Sequence, residues 1–67
     1  MTIIFEDIMY VSEEQQRVVE KFYWEQNWLL DYQDDKTKAV FLVNWDDSKQ
    51  MIVDAIKIHK NGEIEHI

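Results

Sequence analysis

Hydrophobic and polar positions follow two different periods along this chain, and the change from one to the other falls near Asn27. Residues 2–10 (Thr-Ile-Ile-Phe-Glu-Asp-Ile-Met-Tyr) are rich in β-branched and aromatic types, which predicts a strand interrupted near Glu6 and Asp7. Ser12 follows, with Gln15 three residues on. That is the spacing of a capping box, in which the hydroxyl accepts an orphan backbone N–H and the glutamine side chain reaches back. Glu13 and Glu14 then suit the positive end of a helix dipole. Val18, Val19, Phe22 and Tyr23 recur with a 3.6-residue period, so a helix is predicted to run to about Gln26, with Asn27 as its stop. Glu13 and Arg17 add an i,i+4 pair worth about 0.3 kcal/mol. A competing reading carries the helix on through Leu30, which places Trp24 and Trp28 together on its outer face.

From Trp28 onward the pattern is that of strands. Three polar turn signals divide the remainder: Asp34-Asp35-Lys36-Thr37, Asp46-Asp47-Ser48-Lys49 and Lys60-Asn61-Gly62. They predict strands near residues 28–33, 38–45, 50–59 and 63–67, joined as antiparallel hairpins. Pairing across the first two turns sets Trp28, Leu30 and Tyr32 beside Phe41 and Val43, and these beside Ile52. Ile56 and Ile58 fall on the same face, and Trp45 joins at the strand end. That face is expected to carry the helix. The opposite face then holds Lys38, Asn44, Lys57 and His59 with Leu42 and Val53, a mixed surface suited to water or a partner. In the last hairpin, a three-residue loop with Gly62 in the left-handed region opposes Ile58 to Ile64, Lys57 to Glu65 and His59 to Glu63. A two-residue loop would oppose Ile58 to Glu65, so the three-residue loop is preferred. The expected class is α+β: one helix on a mainly antiparallel sheet of four to five strands, in the order β-α-β-β-β-β.

Composition narrows the setting. A chain of 67 residues is one small domain, and such a domain buries only about 60% of the surface its unfolded chain exposes. Its hydrophobic content of 46%, with three residues each of Trp, Tyr and Phe, can furnish that core despite a net charge of −7. There is no cysteine, so disulfides, thiolate metal sites and cysteine nucleophiles are excluded. The start, Met1-Thr2-Ile3-Ile4-Phe5-Glu6-Asp7, lacks the basic region of a signal peptide, and no stretch approaches the ~20 apolar residues of a membrane span. A complete, cytoplasmic small protein is the expectation. Fourteen acidic against seven basic side chains argue against binding nucleic acid or anionic lipid directly, and favour solubility and partners with basic surfaces.

No motif names a reaction. His59 and His66 point to opposite faces in the preferred register, which defeats a shared metal site. A surface pairing of His59 with Glu63 is the simpler reading. Ser12 is committed to capping and Ser48 to a turn, and one glycine cannot build a phosphate-cradling loop. Asp34-Asp35 and Asp46-Asp47 lack calcium-loop spacing and read as turn formers. Asp54 falls among isoleucines on the face assigned to the core, where an unpaired carboxylate is costly. It must pair there, be turned outward by a bulge, or belong to a different register. No cofactor, metal or catalytic set is expected, and the chain is not expected to be an enzyme.

The expected function is therefore that of a small acidic protein-interaction module, a regulator or inhibitor of a protein partner, of phage or mobile-element type by compositional analogy alone. Trp24 lies opposite the Val18/Phe22 stripe and is a candidate anchor, since tryptophan is enriched at interface hot spots. Glu20, Asp31, Asp34, Asp35, Asp46 and Asp47 are further candidates for contact with a basic surface. Two alternatives stand beside this reading. In one, these acids with Glu13 and Glu14 mimic nucleic-acid phosphates, although Arg17, Lys21, Lys36, Lys38 and Lys49 are interleaved with them. In the other, the chain is a structural homodimer joined through its terminal strand or second sheet face.

Overall fold

The structure is a computed structural model that describes residues 8–25 and 27–67. One helix, α1 (Glu13–Tyr23), precedes four strands: β1 (Trp28–Gln33), β2 (Val40–Asp46), β3 (Met51–Ile58) and β4 (Ile64–His66). The strands form one sheet in the order β1-β2-β3-β4, every neighbouring pair antiparallel, so the fold is α+β. Of the strand expected over residues 2–10, residues 2–7 lie outside the described residues, and residues 8–10 carry no strand.

The helix starts where the cap signal placed it. Ser12 is extended, and its Oγ accepts the Gln15 N–H at 3.0 Å. The return arm differs from a capping box: the Gln15 Oε1 accepts the N–H of Val11 at 3.3 Å, and its Nε2 donates to the Lys38 carbonyl at 2.7 Å. Ser12 Oγ–H also donates to the Lys60 carbonyl, which fastens the helix start to the β3–β4 turn. The helix ends at Tyr23, about a turn before the expected end. The Glu25 N–H bonds back to the Phe22 carbonyl at 3.3 Å, the tightened last turn common at helix ends. Asn27 takes φ 74°, a left-handed conformation that asparagine tolerates, and its carbonyl accepts the Trp45 N–H at 2.8 Å. The longer helix through Leu30 is thereby excluded.

The first two hairpins are built alike. In each, an aspartate closes a four-residue loop and the fourth loop residue is left-handed: Lys38 at φ 62° and Gln50 at φ 54°. The carboxylate of Asp34 accepts the N–H and hydroxyl of Thr37 at 2.8 and 2.7 Å. That of Asp46 accepts the N–H and hydroxyl of Ser48 at 2.9 and 2.7 Å, and the Lys49 N–H at 3.1 Å. The third hairpin has the expected three-residue loop. Gly62 sits at φ 91°, and Ile58 pairs with Ile64 and Lys57 with Glu65. His59 donates its N–H to the Glu63 carbonyl at 2.8 Å.

Each of the first two hairpins also carries a bulge, and these bulges decide the faces. Next to the turn, Tyr32 pairs with Phe41 as the alternation predicts. Asp31 is then an extra residue, so Leu30 pairs with Leu42 and Trp28 with Asn44. In the second hairpin Trp45 pairs with Ile52, Val53 is extra, and Asn44 pairs with Asp54. One inserted residue sends every later side chain to the other face. The single apolar face expected from the sequence is thus split in two. Leu30, Leu42, Ile56, Val40 and Ile58 face α1 and bury against Val19 and Ile8. Phe22 packs edge-on to Trp28 at 5.0 Å between ring centroids, closing one end of this core. Tyr32, Phe41, Val43 and Trp45, expected beneath the helix, lie instead on the opposite face. Leu42, expected there, is fully buried under the helix.

Candidate interaction surface

The face turned away from α1 is built by the pairings just given. Tyr32, Phe41, Lys57 and Glu65 form one row across the sheet, Leu29, Val43 and Ala55 the next, and Trp45 with Ile52 the row beyond. Among the described residues no helix or strand packs over this face. Tyr32 stacks on Phe41 with the rings 4.4 Å apart and nearly parallel, and the Lys57 ammonium lies 5.6 Å from the Phe41 ring centroid. Those contacts stiffen the row without hiding it, since Tyr32 remains 51% exposed; in the next row Val43 is buried, and in the row beyond Ile52 is 49% exposed. Trp45 is half-buried. At the β4 edge the His59 Nε2 meets the Glu65 carboxylate at 3.0 Å, so the side chain of His59 pairs with Glu65, while Glu63 faces it through the backbone.

At the β2–β3 end of this face a cleft of about 550 Å³ opens between Leu29 and Trp45, rimmed by Asn27, Asp47 and Gln50. Turn chemistry sets its polarity. Asp46 spends its carboxylate on Ser48 and Lys49, and the hydrogen bonds from the Ser48 hydroxyl and the Lys49 and Ser48 N–H groups hold its pKa below the ordinary 3.8. The neighbouring Asp47 is engaged through its backbone carbonyl, which accepts the Gln50 Nε2 at 2.6 Å. Asp34 behaves like Asp46 at the other end of the sheet, held low chiefly by the Thr37 hydroxyl and then its N–H.

The residues singled out from the sequence do not converge on one spot. Trp24 caps the end of α1 and is 88% exposed. Glu20 lies on the same helix and accepts the Gln16 amide at 3.0 Å. Asp31 is the exposed bulge residue of β1. Asp34 and Asp35 sit in the β1–β2 turn, and Asp46 and Asp47 at the opposite end of the sheet. β2 has seven residues between these turns, which at ~3.4 Å per residue separates the two acidic pairs by roughly 20 Å. Asp54 is exposed at the sheet end, beyond the bulge, with the His66 Nδ1 3.8 Å away. Asp54 keeps the alternation of Ile56 and Ile58 but pairs with Asn44 outside the buried core, and it is Ile52 that the bulge sends to the other face.

Sequence reasoning missed two side chains that hold the architecture. Gln15 is fully buried. Gln33 accepts the Met9 N–H at 2.9 Å, donates to the Met9 carbonyl at 2.8 Å, and donates to the Lys38 carbonyl at 3.0 Å. The two amides thus tie the segment before α1 to the β1–β2 turn through one carbonyl. The Tyr10 and Tyr23 hydroxyls bond to each other, and burial followed by that bond pushes the Tyr10 pKa well above its ordinary value.

Among the described residues no group of three or more His, Asp or Glu side chains is placed to hold a metal ion, and no helix is long and apolar enough to cross a membrane. Comparison with protein-family models, curated proteins and solved structures finds no match.

Proposed function

We propose that this chain is a small protein-interaction module, a non-catalytic regulator or inhibitor that docks a protein partner on the sheet face opposite α1. The observation that carries this reading is that face itself: Leu29, Tyr32, Phe41, Trp45 and Ile52 lie together around the buried Val43 with no described element over them. Contiguous apolar surface rimmed by polar groups marks interaction sites on small soluble proteins. Aromatic residues add large contact area at low entropic cost and are enriched in interface cores. The cytoplasmic setting expected from the cysteine-free composition belongs to the same proposal.

The test is retention of partner by the tagged chain and by two variants. Tyr32→Ser/Ile52→Ser removes the most exposed apolar groups of the face without touching the core under α1. Trp24→Ala removes the exposed tryptophan of the helix layer. The expected result is a protein retained by the parent chain at physiological salt, lost with the sheet-face variant and kept with Trp24→Ala. Retention by the sheet-face variant, or no protein retained by the parent chain, overturns the reading.

A further inference from the structure

The cleft at the end of the open face has a chemistry of its own. One wall is apolar, made by Trp45 and Leu29, and the rim carries Asn27, Asp47 and Gln50, so among the described residues no cationic side chain lines it. Among the described residues the Asp47 carboxylate has no hydrogen bond or ion pair, whereas the adjacent Asp46 carboxylate is fully engaged in its turn. Gln50, which also lines the cleft, donates from its Nε2 to the Asp47 carbonyl, and its Oε1 accepts no hydrogen bond among the described residues. An aromatic face, an uncompensated carboxylate and amide acceptors around a cleft of about 550 Å³ make a receptor for a delocalised cation.

Arginine fits this set better than lysine. Its guanidinium is planar and weakly hydrated, stacks on aromatic faces, and presents paired N–H donors to a carboxylate, whereas an ammonium holds its water more strongly. Charge selects the same occupant. A second copy of the chain would bring −7 against −7, and long-range repulsion opposes that approach, while a basic partner is drawn to it.

We propose that the Trp45–Asp47 cleft receives an arginine side chain of the partner, its guanidinium between the indole and the carboxylate, with a residue flanking that arginine laid over Leu29. This deepens the proposed docking role and rests on it.

The probe is the tripeptide acetyl-Leu-Arg-Leu-amide, titrated into the isotope-labelled chain and followed by NMR, with acetyl-Leu-citrulline-Leu-amide as its uncharged isostere. The expected result is saturable shifts centred on the Trp45 indole N–H and the amides of Leu29, Asp47 and Gln50. Citrulline is expected to bind about fivefold to tenfold more weakly, the combined effect of an exposed ion pair and a cation–π contact. Asp47→Asn keeps the turn and should bring the arginine peptide down toward the citrulline level. Trp45→Leu keeps apolar bulk and should weaken the arginine peptide more than the citrulline one. Equal binding of the two peptides, shifts centred elsewhere, no saturation, or no effect of Asp47→Asn overturns the proposal. A partner that is lost with Tyr32→Ser/Ile52→Ser while the peptides show no arginine preference would leave the docking face standing and remove only this arginine site.

Discussion

Gln15 offers the sharpest test of how the fold is held, because it is a fully buried polar side chain with a partner on each side. Gln15→Glu keeps the oxygen that accepts the Val11 N–H. It replaces the Nε2 donor by a carboxylate oxygen aimed at the Lys38 carbonyl, where the present donor–acceptor distance is 2.7 Å. A hydrogen bond is lost, and a charge is buried with no cation among its partners. Together these raise the folded-state pKa of the new carboxyl above its unfolded value of about 4.3. A rise of about two units corresponds to about 3 kcal/mol at neutral pH. In a domain of this size that lowers the melting temperature by roughly 12–24 °C. The sign follows from linkage: with the folded pKa raised, the variant regains stability below the unfolded pKa and loses it as pH rises through the folded one. A protonated glutamic acid can donate to Lys38 as the amide does. The gap between parent and variant, measured by thermal melts at matched pH, should therefore be large at pH 7 and close toward pH 4. Gln15→Leu removes both bonds at every pH, strands the Val11 N–H, and should cost about 1–3 kcal/mol with no such dependence. A Gln15→Glu melting point within a degree or two of the parent at pH 7, or a gap unchanged by pH, would refute the buried bridge.

Three further outcomes follow from the turns. Gly62→Ala places a Cβ 3.1 Å from the Glu14 Cβ at a φ of 91°, so it should lower stability by about 2 kcal/mol in denaturant melts. Lys38→Gly relieves a left-handed lysine while keeping the carbonyl that both glutamine amides use, and should raise stability by about 0.5 kcal/mol. Asp46→Ala removes a carboxylate whose folded pKa lies below 3.8. The melting gap to the parent should be fully present above that value and vanish as pH falls through the lowered folded pKa.

Local chemistry was legible in the sequence where it depends on a few adjacent residues. Ser12 with its following acids marked the helix start, whereas the helix ends at Tyr23, about a turn before the Asn27 stop expected from the sequence. Asn61-Gly62 set the last hairpin in its observed register, and the aspartates of the first two turns serve as turn formers. Pairing next to the first turn was also legible, Tyr32 beside Phe41, whereas Ile52, expected beside Phe41 and Val43, pairs with Trp45. The faces were not, because Asp31 and Val53 bulge out of the ladder, and a period-two pattern carries no mark of an extra residue. Read straight through, the alternation put Tyr32, Phe41, Val43 and Trp45 under the helix and so concealed the surface now proposed as the docking face. Gln15 was read as a cap partner because the same spacing serves both roles. Its burial depends on the Lys38 carbonyl, twenty-three residues away in sequence.

The docking claim is tested most directly by adding purified, retained partner to the isotope-labelled chain and following aromatic and methyl NMR signals of both layers. Broadening or shifts at Tyr32, Phe41, Trp45 and Ile52, with Trp24 and the exposed side of α1 unaffected, is the expected result. Perturbation confined to Trp24, Glu20 and the outer helix surface, with the sheet face silent, would contradict it.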